Sequence, residues 1–334
     1  MRKFIDRRDF IGAGSAAVAS IGLASRLSPL QAQSLKPLSF QLSWIKSIQY
    51  GGYFGAIDQG FYKKRGIEAT FNSGGPNVDP IANVASGRSG IGDRPIGPII
   101  IAKEKGIPIK VIATVFQKSP YSIISLAEKP IKTVKDLVGK TIAVATSGRP
   151  LMLNLLRDAG IDPKSVNMVP SSPDPSALVS GQIDAYNGYS TNQGVMLQTR
   201  GVKIHVLNVH DLGLPETVGT IYGREDYLAA NRDLVVSFLK ASIEGWKWAL
   251  DNPEPTAKFM VEKYGNPGLD YKAQLTEVKE SKPYIASATN PLLAIDVPTF
   301  EKIIEVYRKV DLVKSRMTVK ELCDTSFIEA AHRA

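Results

Sequence analysis

Cysteine is almost missing from this chain. Cys323 is the only one, which excludes a disulfide within the molecule and any cluster of thiolate metal ligands. Histidine is nearly as scarce: His205, His210 and His332 are the only three, and none shows close metal-ligand spacing with cysteine or carboxylates. Beyond residue 32 there is no G-x-S-x-G elbow and no phosphate loop, so the usual serine-hydrolase and nucleotide-phosphate machinery is excluded. No metal and no cofactor is expected. The net charge of +9 is not gathered into a stripe. Lys63, Lys64 and Arg65 form one group, and Lys132, Lys135 and Lys140 another. That scatter excludes a nucleic-acid reader and suits a solvated face with mild attraction for anions. The apolar run at residues 11–27 is too interrupted for a stable membrane span. No internal repeat or low-complexity segment is present.

What is there begins with an address label. Asp6-Arg7-Arg8-Asp9-Phe10-Ile11-Gly12 precedes a small-residue apolar run, and Leu30-Gln31-Ala32 offers a cleavage point after Ala32. Charged, apolar and small-residue regions in that order define a secretory signal over residues 1–32, and the paired arginines point to the twin-arginine route. Asp6 and Gly12 depart from the usual pattern of that route, which leaves the Sec pathway open. Gly12 to Ala17 imitates a dinucleotide fingerprint, but no strand precedes it. No cysteine stands at the cleavage region to take a lipid. The expected location of the mature chain is therefore the periplasm, as a soluble protein.

The 334 residues suffice for two domains and a large core. Short apolar runs alternate with helical patterns from Leu38 onward. Strands are expected at Leu38–Leu42, Glu68–Phe71, Ser89–Gly92, Lys110–Val115, Ser122–Leu126, Thr141–Val144, Asn167–Val169, Ile183–Asn187, Lys203–Val206 and Gly219–Tyr222. Such alternation argues an α/β fold with largely parallel sheets. Beyond about Glu225 the pattern turns helical, at Asn231–Asp251, Pro255–Tyr264, Asp270–Lys282, Val297–Lys309 and Val319–Ala331. Two crossovers, near Ala127–Pro130 and Leu214–Val218, divide the chain into a first lobe of 36–126 plus 219–334 and a second of 127–218. Paired connections of that kind make a hinge.

The stretch from Gln41 to Glu68 organises the rest. A strand ending at Leu42 runs into a turn carrying Trp44, Gln49 and Tyr50, then Gly51 and Gly52, then a helix from about Tyr53 to Tyr62. Ligands of open α/β sheets collect where strands end and helices begin. Two aromatics beside paired glycines at such a turn suit a flat ligand close to the backbone. The other reading is that Trp44 and Tyr50 merely cap the core.

Trp44, Gln49, Gly52-Tyr53-Phe54 and Ala56, followed by Gly60-Phe61-Tyr62-Lys63-Lys64-Arg65-Gly66-Ile67-Glu68, resemble the opening of periplasmic solute-binding proteins of ABC importers. The resemblance is to the branch binding sulfonates, nitrate, thiamine-pyrimidine precursors and riboflavin-like molecules. Lys132 to Val144 resembles that family's entry into the second lobe, so the likeness covers the chain beyond the signal. It implies a two-lobed periplasmic-binding-protein fold of type II, a small-molecule ligand, a membrane permease as partner and a monomer. Several stretches then become candidate ligand contacts. Asn77 follows Gly74-Gly75-Pro76 and either caps a helix or meets a polar ligand edge. Gly90 to Pro95 resembles a ligand-facing loop in which Asp93 and Arg94 replace small residues. Arg94 either clamps an anion or pairs with Asp93. Ser147, Gly148 and Arg149 open a helix whose bare amides suit an anion or carbonyl, and Arg149 is a clamp or a solvated residue. Gly181 to Gln193 resembles the family's G-x-x-D-A strand and ligand-facing turn. Asp184 there serves strand geometry, Tyr189 closes over a ring opposite Trp44 and Tyr50, and Asn192 meets a heterocycle edge.

The function expected is thus a binding component that captures a flat heterocycle, a thiamine-pyrimidine precursor or a flavin-like molecule. A small anion such as a sulfonate, nitrate or aromatic carboxylate, held by Arg94, Arg149 and the helix start, is the competing ligand. An enzyme on the same scaffold is the competing class, but the sequence offers no convincing nucleophile or base. Asp211 and Glu216, flanking the return crossover, are read as solvated loop carboxylates.

Overall fold

The computed structural model describes residues 34–333 apart from 147, 214 and 310. The signal expected over residues 1–32 lies outside the described residues. Among the described residues ten strands form: β1 Lys36–Gln41, β2 Ile67–Asn72, β3 Ile91–Arg94, β4 Ile109–Thr114, β5 Tyr121–Leu126, β6 Thr141–Val144, β7 Asn167–Pro170, β8 Ala185–Tyr189, β9 Ile204–Asn208 and β10 Thr220–Arg224. They build two five-stranded sheets, ordered β2-β1-β3-β10-β4 and β7-β6-β8-β5-β9. Each sheet has one strand running against its neighbours, β10 in the first and β5 in the second. Helices flank both sheets, a two-lobed α/β architecture of the kind expected. β4 and β5 are buried along nearly their whole length, which is why neither shows a strict alternation of apolar and polar residues.

Each sheet's odd strand is the one the chain uses to change sheets. The sequence reading placed Ser122–Leu126 in the first lobe, yet β5 pairs with β8 and β9 in the second sheet. By sheet membership the chain therefore crosses between Thr114 and Tyr121. It returns between Asn208 and Thr220. The two crossings run side by side: the Val115 amide donates to the Gly219 carbonyl at 3.0 Å, and the Thr114 and Thr217 hydroxyls meet at 2.8 Å. The Tyr284 carbonyl accepts from the amides of Gln117 and Lys118, tying the first crossing to the helix Tyr271–Ile285.

Two expected helices prove to be broken. The helix after Trp44 runs Gly51–Asp58 and a second turn Phe61–Lys64 follows, because Gly60 between them takes φ 71°. A left-handed residue ends a helix, and only glycine does so without strain. The C-terminal helix divides into Val319–Leu322 and Ser326–His332, with Cys323 extended between them and bridging Val111 of β4. Among the described residues no helix is long and apolar enough to cross a membrane.

The first-sheet core is dense in rings. Phe40 of β1 lies 5.1 Å from Tyr53 and Tyr62 lies 5.1 Å from Phe238, centroid to centroid. Pairs of this kind contribute roughly 0.5–1.5 kcal/mol beyond their buried area. Helix Gly51–Asp58 crosses helix Arg232–Asp251 so closely that a Cβ on Gly52 would fall 2.1 Å from the Trp246 ring. One on Gly245 would fall 2.2 Å from the Gly52 carbonyl oxygen. The paired glycines at 51 and 52 thus serve helix packing. Gly52→Ala is expected to lower unfolding free energy by about 1–3 kcal/mol, the usual cost of overfilling a packed contact. Urea unfolding with an unchanged midpoint would show that the crossing has slack.

Candidate functional site

The turn after β1 is held from below by a buried carboxyl. Asp93, on β3, accepts the Ser43 amide at 2.9 Å and the Ser43 hydroxyl at 2.8 Å. With its proton committed there, Ser43 Oγ accepts from the Tyr50 hydroxyl at 3.1 Å. Tyr50 Oη in turn accepts the Trp44 amide at 2.9 Å and Gln49 Nε2 at 3.3 Å. Burial pushes the Asp93 carboxyl up to about 7, opposed by the Ser43 hydrogen bonds and by the Arg94 charge. Tyr50 is 2% exposed and lies beneath the turn: it fixes the Trp44 backbone.

The facing wall comes from the second sheet. Tyr189, the last residue of β8, packs edge-on against Tyr121 at 4.9 Å and Phe116 at 6.0 Å. Its amide donates to Gln193 Oε1 at 2.9 Å. Asn187 turns its Nδ2 toward the Ser122 carbonyl and keeps a buried Oδ1 without a partner. A Cβ on Gly148 would lie 2.5 Å from that oxygen, so a side chain there would displace the Asn187 amide. Between the walls lies a cavity of about 30 Å³, lined by Ser43, Trp44, Gln49 and Pro95 from one side and by Tyr121, Ala145, Tyr186–Tyr189 and Gln193 from the other. None of those residues carries a positive charge. A second cleft of about 530 Å³, lined in part by Ile45, Asn192, Arg200 and residues 266–270 and 272–274, lies alongside. Trp44 and Gln193 face the first space, and their chain neighbours Ile45 and Asn192 face the second.

The sequence candidates are distributed unevenly over this geometry. Trp44, Gln49 and Tyr189 line one cavity from two sides. Tyr50 sits under it and Gly148 behind Asn187. Asn77 is exposed in the turn after β2, and its neighbour Asp79 does the capping, accepting the Ile81 amide at 3.0 Å. Arg94 is buried, pairs with Asp79 rather than with Asp93, whose oxygens are taken by Ser43, and does not line the cavity. Arg149 is exposed on the first residue of its helix and does not line the cavity. Ser147 lies outside the described residues. Asn192 is buried away from the ring cavity and gives its amide to Glu277 at 2.6 Å. Asp184 accepts the Thr141 amide, as its strand role implied.

Sequence reasoning missed Ser43, Tyr121, Tyr186, Asn187 and Gln193. Tyr186 and Asn187 lay within the quoted β8 stretch, and period-two alternation from Tyr189 pointed at Asn187. Tyr121 carried no signal, since it reaches the site only through the pairing of β5 with β8. Glu216 is a further correction. Asp211 is exposed as expected, but Glu216 is buried against the Tyr307 hydroxyl and nearby backbone amides, and burial raises it to about 8. Glu277 is raised to about 8 by burial as well, opposed by its hydrogen bond from Asn192. No cluster of three or more His, Cys, Asp or Glu side chains suited to a metal occurs among the described residues.

The halves also meet at their rims. Thr146 Oγ1 donates to the Pro76 carbonyl at 3.0 Å, and Lys309 pairs with Asp158 at 3.2 Å.

Comparison with known proteins adds the following. A family model described as NMT1/THI5 like matches residues 47–256. The riboflavin-binding protein RibY of Chloroflexus aurantiacus is 26% identical over 269 residues, 77% of this chain and 75% of that one. The formylaminopyrimidine-binding protein of Halalkalibacterium halodurans is 25% identical over 234 residues, 69% and 71% of the two chains. A protein of Legionella pneumophila named 4-amino-5-hydroxymethyl-2-methylpyrimidine phosphate synthase is 24% identical over 226 residues, 66% and 72%. The alkanesulfonate-binding protein SsuA of Xanthomonas axonopodis pv. citri, solved bound to MOPS, superposes with a TM-score of 0.65. It is 17% identical, covering 85% of this chain and 96% of that one, and shares the fold.

The buried carboxyls make stability depend on pH in one direction. Asp93, Glu216 and Glu277 are all raised in the folded chain, so the folded state holds more protons than the unfolded one through neutrality. Stability therefore falls as pH rises from about 4.5 to about 8. Exposed carboxyls held low, such as Asp136 and Asp226, act on the acid side of that window. The thermal midpoint is expected to drop steadily between about pH 5 and 8, and Glu277→Gln to flatten the slope. A midpoint that climbs across this range would contradict the assignment.

Proposed function

The chain belongs to the NMT1/THI5-like family, and from that premise we propose that it is the exported substrate-binding component of an ABC importer. It closes two lobes over a small flat heterocycle in the periplasm and hands it, chemically unchanged, to a membrane permease. The observation that carries this reading is one cavity bounded by Trp44 on one side and Tyr189 on the other, with no cationic lining residue. Ring faces and amides suit a planar nitrogen heterocycle. An anion such as a sulfonate would need a cation or a set of free donors, and neither Arg94 nor Arg149 supplies one. The names of the two relatives, for riboflavin and for formylaminopyrimidine, support the same ligand class. The cavity as it stands holds about one water, so a ring enters only when the two lobes part about the paired crossings. The chain works as a monomer in this reading, since both walls come from one polypeptide.

The synthase name of one relative favours a second reading, an enzyme at the same cavity. The lining residues offer hydroxyls and amides but no histidine, cysteine or lysine to act as base or nucleophile.

A thermal-shift panel of riboflavin, aminopyrimidines and alkanesulfonates tests the ligand class, because a cleft ligand raises the midpoint by mass action. Heterocycles are expected to stabilise, and stabilisation by sulfonates alone would overturn the proposal. Trp44→Ala is expected to weaken binding of the active heterocycle by about tenfold, with little change in the unliganded midpoint. A large loss of stability would instead mark Trp44 as a core residue.

A further inference from the structure

Asn192, expected to meet the ligand, belongs instead to a chain of side-chain amides that starts in the ring site and ends on another helix. The Tyr189 amide donates to Gln193 Oε1 at 2.9 Å, Gln193 Nε2 donates to Asn192 Oδ1 at 2.6 Å, and Asn192 Nδ2 donates to Glu277 Oε2 at 2.6 Å. The polarity of this chain is set at the Tyr189 end. A backbone N–H can only donate, so Gln193 must turn its oxygen to Tyr189 and its nitrogen to Asn192, Asn192 must turn its nitrogen to Glu277, and the Glu277 carboxyl accepts at the far end. All four residues are buried. The Tyr189 N–H has no competing partner in the sheet. Ser190 N bonds the Pro120 carbonyl, so the neighbouring pair Tyr189 and Tyr121 takes the non-hydrogen-bonded position of the antiparallel ladder. Gly188 leaves room for the link, since a Cβ there would lie 2.5 Å from Gln193 Oε1.

Glu277 sits on the helix Tyr271–Ile285, which also touches the other parts of the site. Gln274 Oε1 accepts the Ile48 amide at 2.8 Å in the aromatic turn, and the Tyr284 carbonyl holds the first crossing. We propose that Glu277 is a positioning residue for the ring site, holding Tyr189 in place through Asn192 and Gln193 when the helix Tyr271–Ile285 is seated against the second sheet. The role rests on Tyr189 being a wall of the ligand site. It makes no contact with the ligand itself.

Hydrogen exchange of the Tyr189 amide, read by NMR on the purified chain, tests the link without any ligand. Glu277→Leu removes the terminal acceptor and is expected to speed that exchange about tenfold, the equivalent of one net hydrogen bond. Glu277→Gln keeps an acceptor and is expected to restore protection. The exchanged pair Asn192→Asp with Glu277→Gln reverses the last donor and acceptor while leaving Asp Oδ1 for Gln193, and is expected to do the same. Protection lost equally in the Leu and Gln variants, or unchanged in the Leu variant, overturns the proposal. Should Glu277→Leu fail to fold, Asn192→Ala breaks the same chain from the other side and is judged by the same exchange rate. Riboflavin titrated by fluorescence supplies the ligand arm. Weaker binding in Glu277→Leu with recovery in the exchanged pair supports the role at the site. If the wild-type chain ignores riboflavin, the exchange rates alone decide the link, and the fault lies with the ligand.

Discussion

The aromatic turn depends on one buried carboxyl. Asp93 takes both the amide and the hydroxyl of Ser43, which turns the Ser43 oxygen into an acceptor for Tyr50 and the Tyr50 oxygen into an acceptor for Trp44 and Gln49. Each step determines the next, because a hydroxyl has one proton to give. Desolvating a carboxyl is costly unless its oxygens are satisfied, and here the satisfaction is what shapes one wall of the cavity. The same commitment leaves Arg94 to Asp79.

The second sheet solves the matching problem with amides in place of hydroxyls. Tyr189 stands on the edge of β8, braced by Tyr121 and Phe116 and tethered by its own backbone. Between the two walls the chain passes twice, through strands that hydrogen-bond each other. In the proposed binding role, two connections side by side would resist twisting and permit bending. The helix Tyr271–Ile285 touches the turn, the crossing and the amide chain at once.

All ten strands of the described residues were legible in the sequence to within a few residues, and the buried ones among them were legible because they are mainly apolar runs bounded by turn residues. Trp44, Gln49 and Tyr189 were legible as candidates because each lies where a strand ends. The residues that were misread share a different cause. Whether Tyr50 faces a ligand or supports the turn is decided by Asp93, more than forty positions away. Whether Asn192 is free is decided by Glu277, on a helix whose packing the local pattern does not specify. Glu216 was read as solvated because it lies in a loop, and its burial under Tyr307 comes from a helix near the end of the chain. A Cβ on Gly97 would lie 2.1 Å from that tyrosine's hydroxyl, so the pocket for Glu216 needs three separate stretches to converge. β5 was assigned to the wrong sheet for a related reason: its composition reports burial, and nothing in it names its partners.

The smallness of the ring cavity has a kinetic consequence. In the proposed role, a ring held between Trp44 and Tyr189 would need more than the space for about one water found there. Capture would then wait on a parting of the walls, and at high solute concentration the observed rate of uptake would level off at the opening rate instead of rising without limit. The same step would act in reverse on release, so residence time would be governed by the seam between the lobes more than by the grip of the rings.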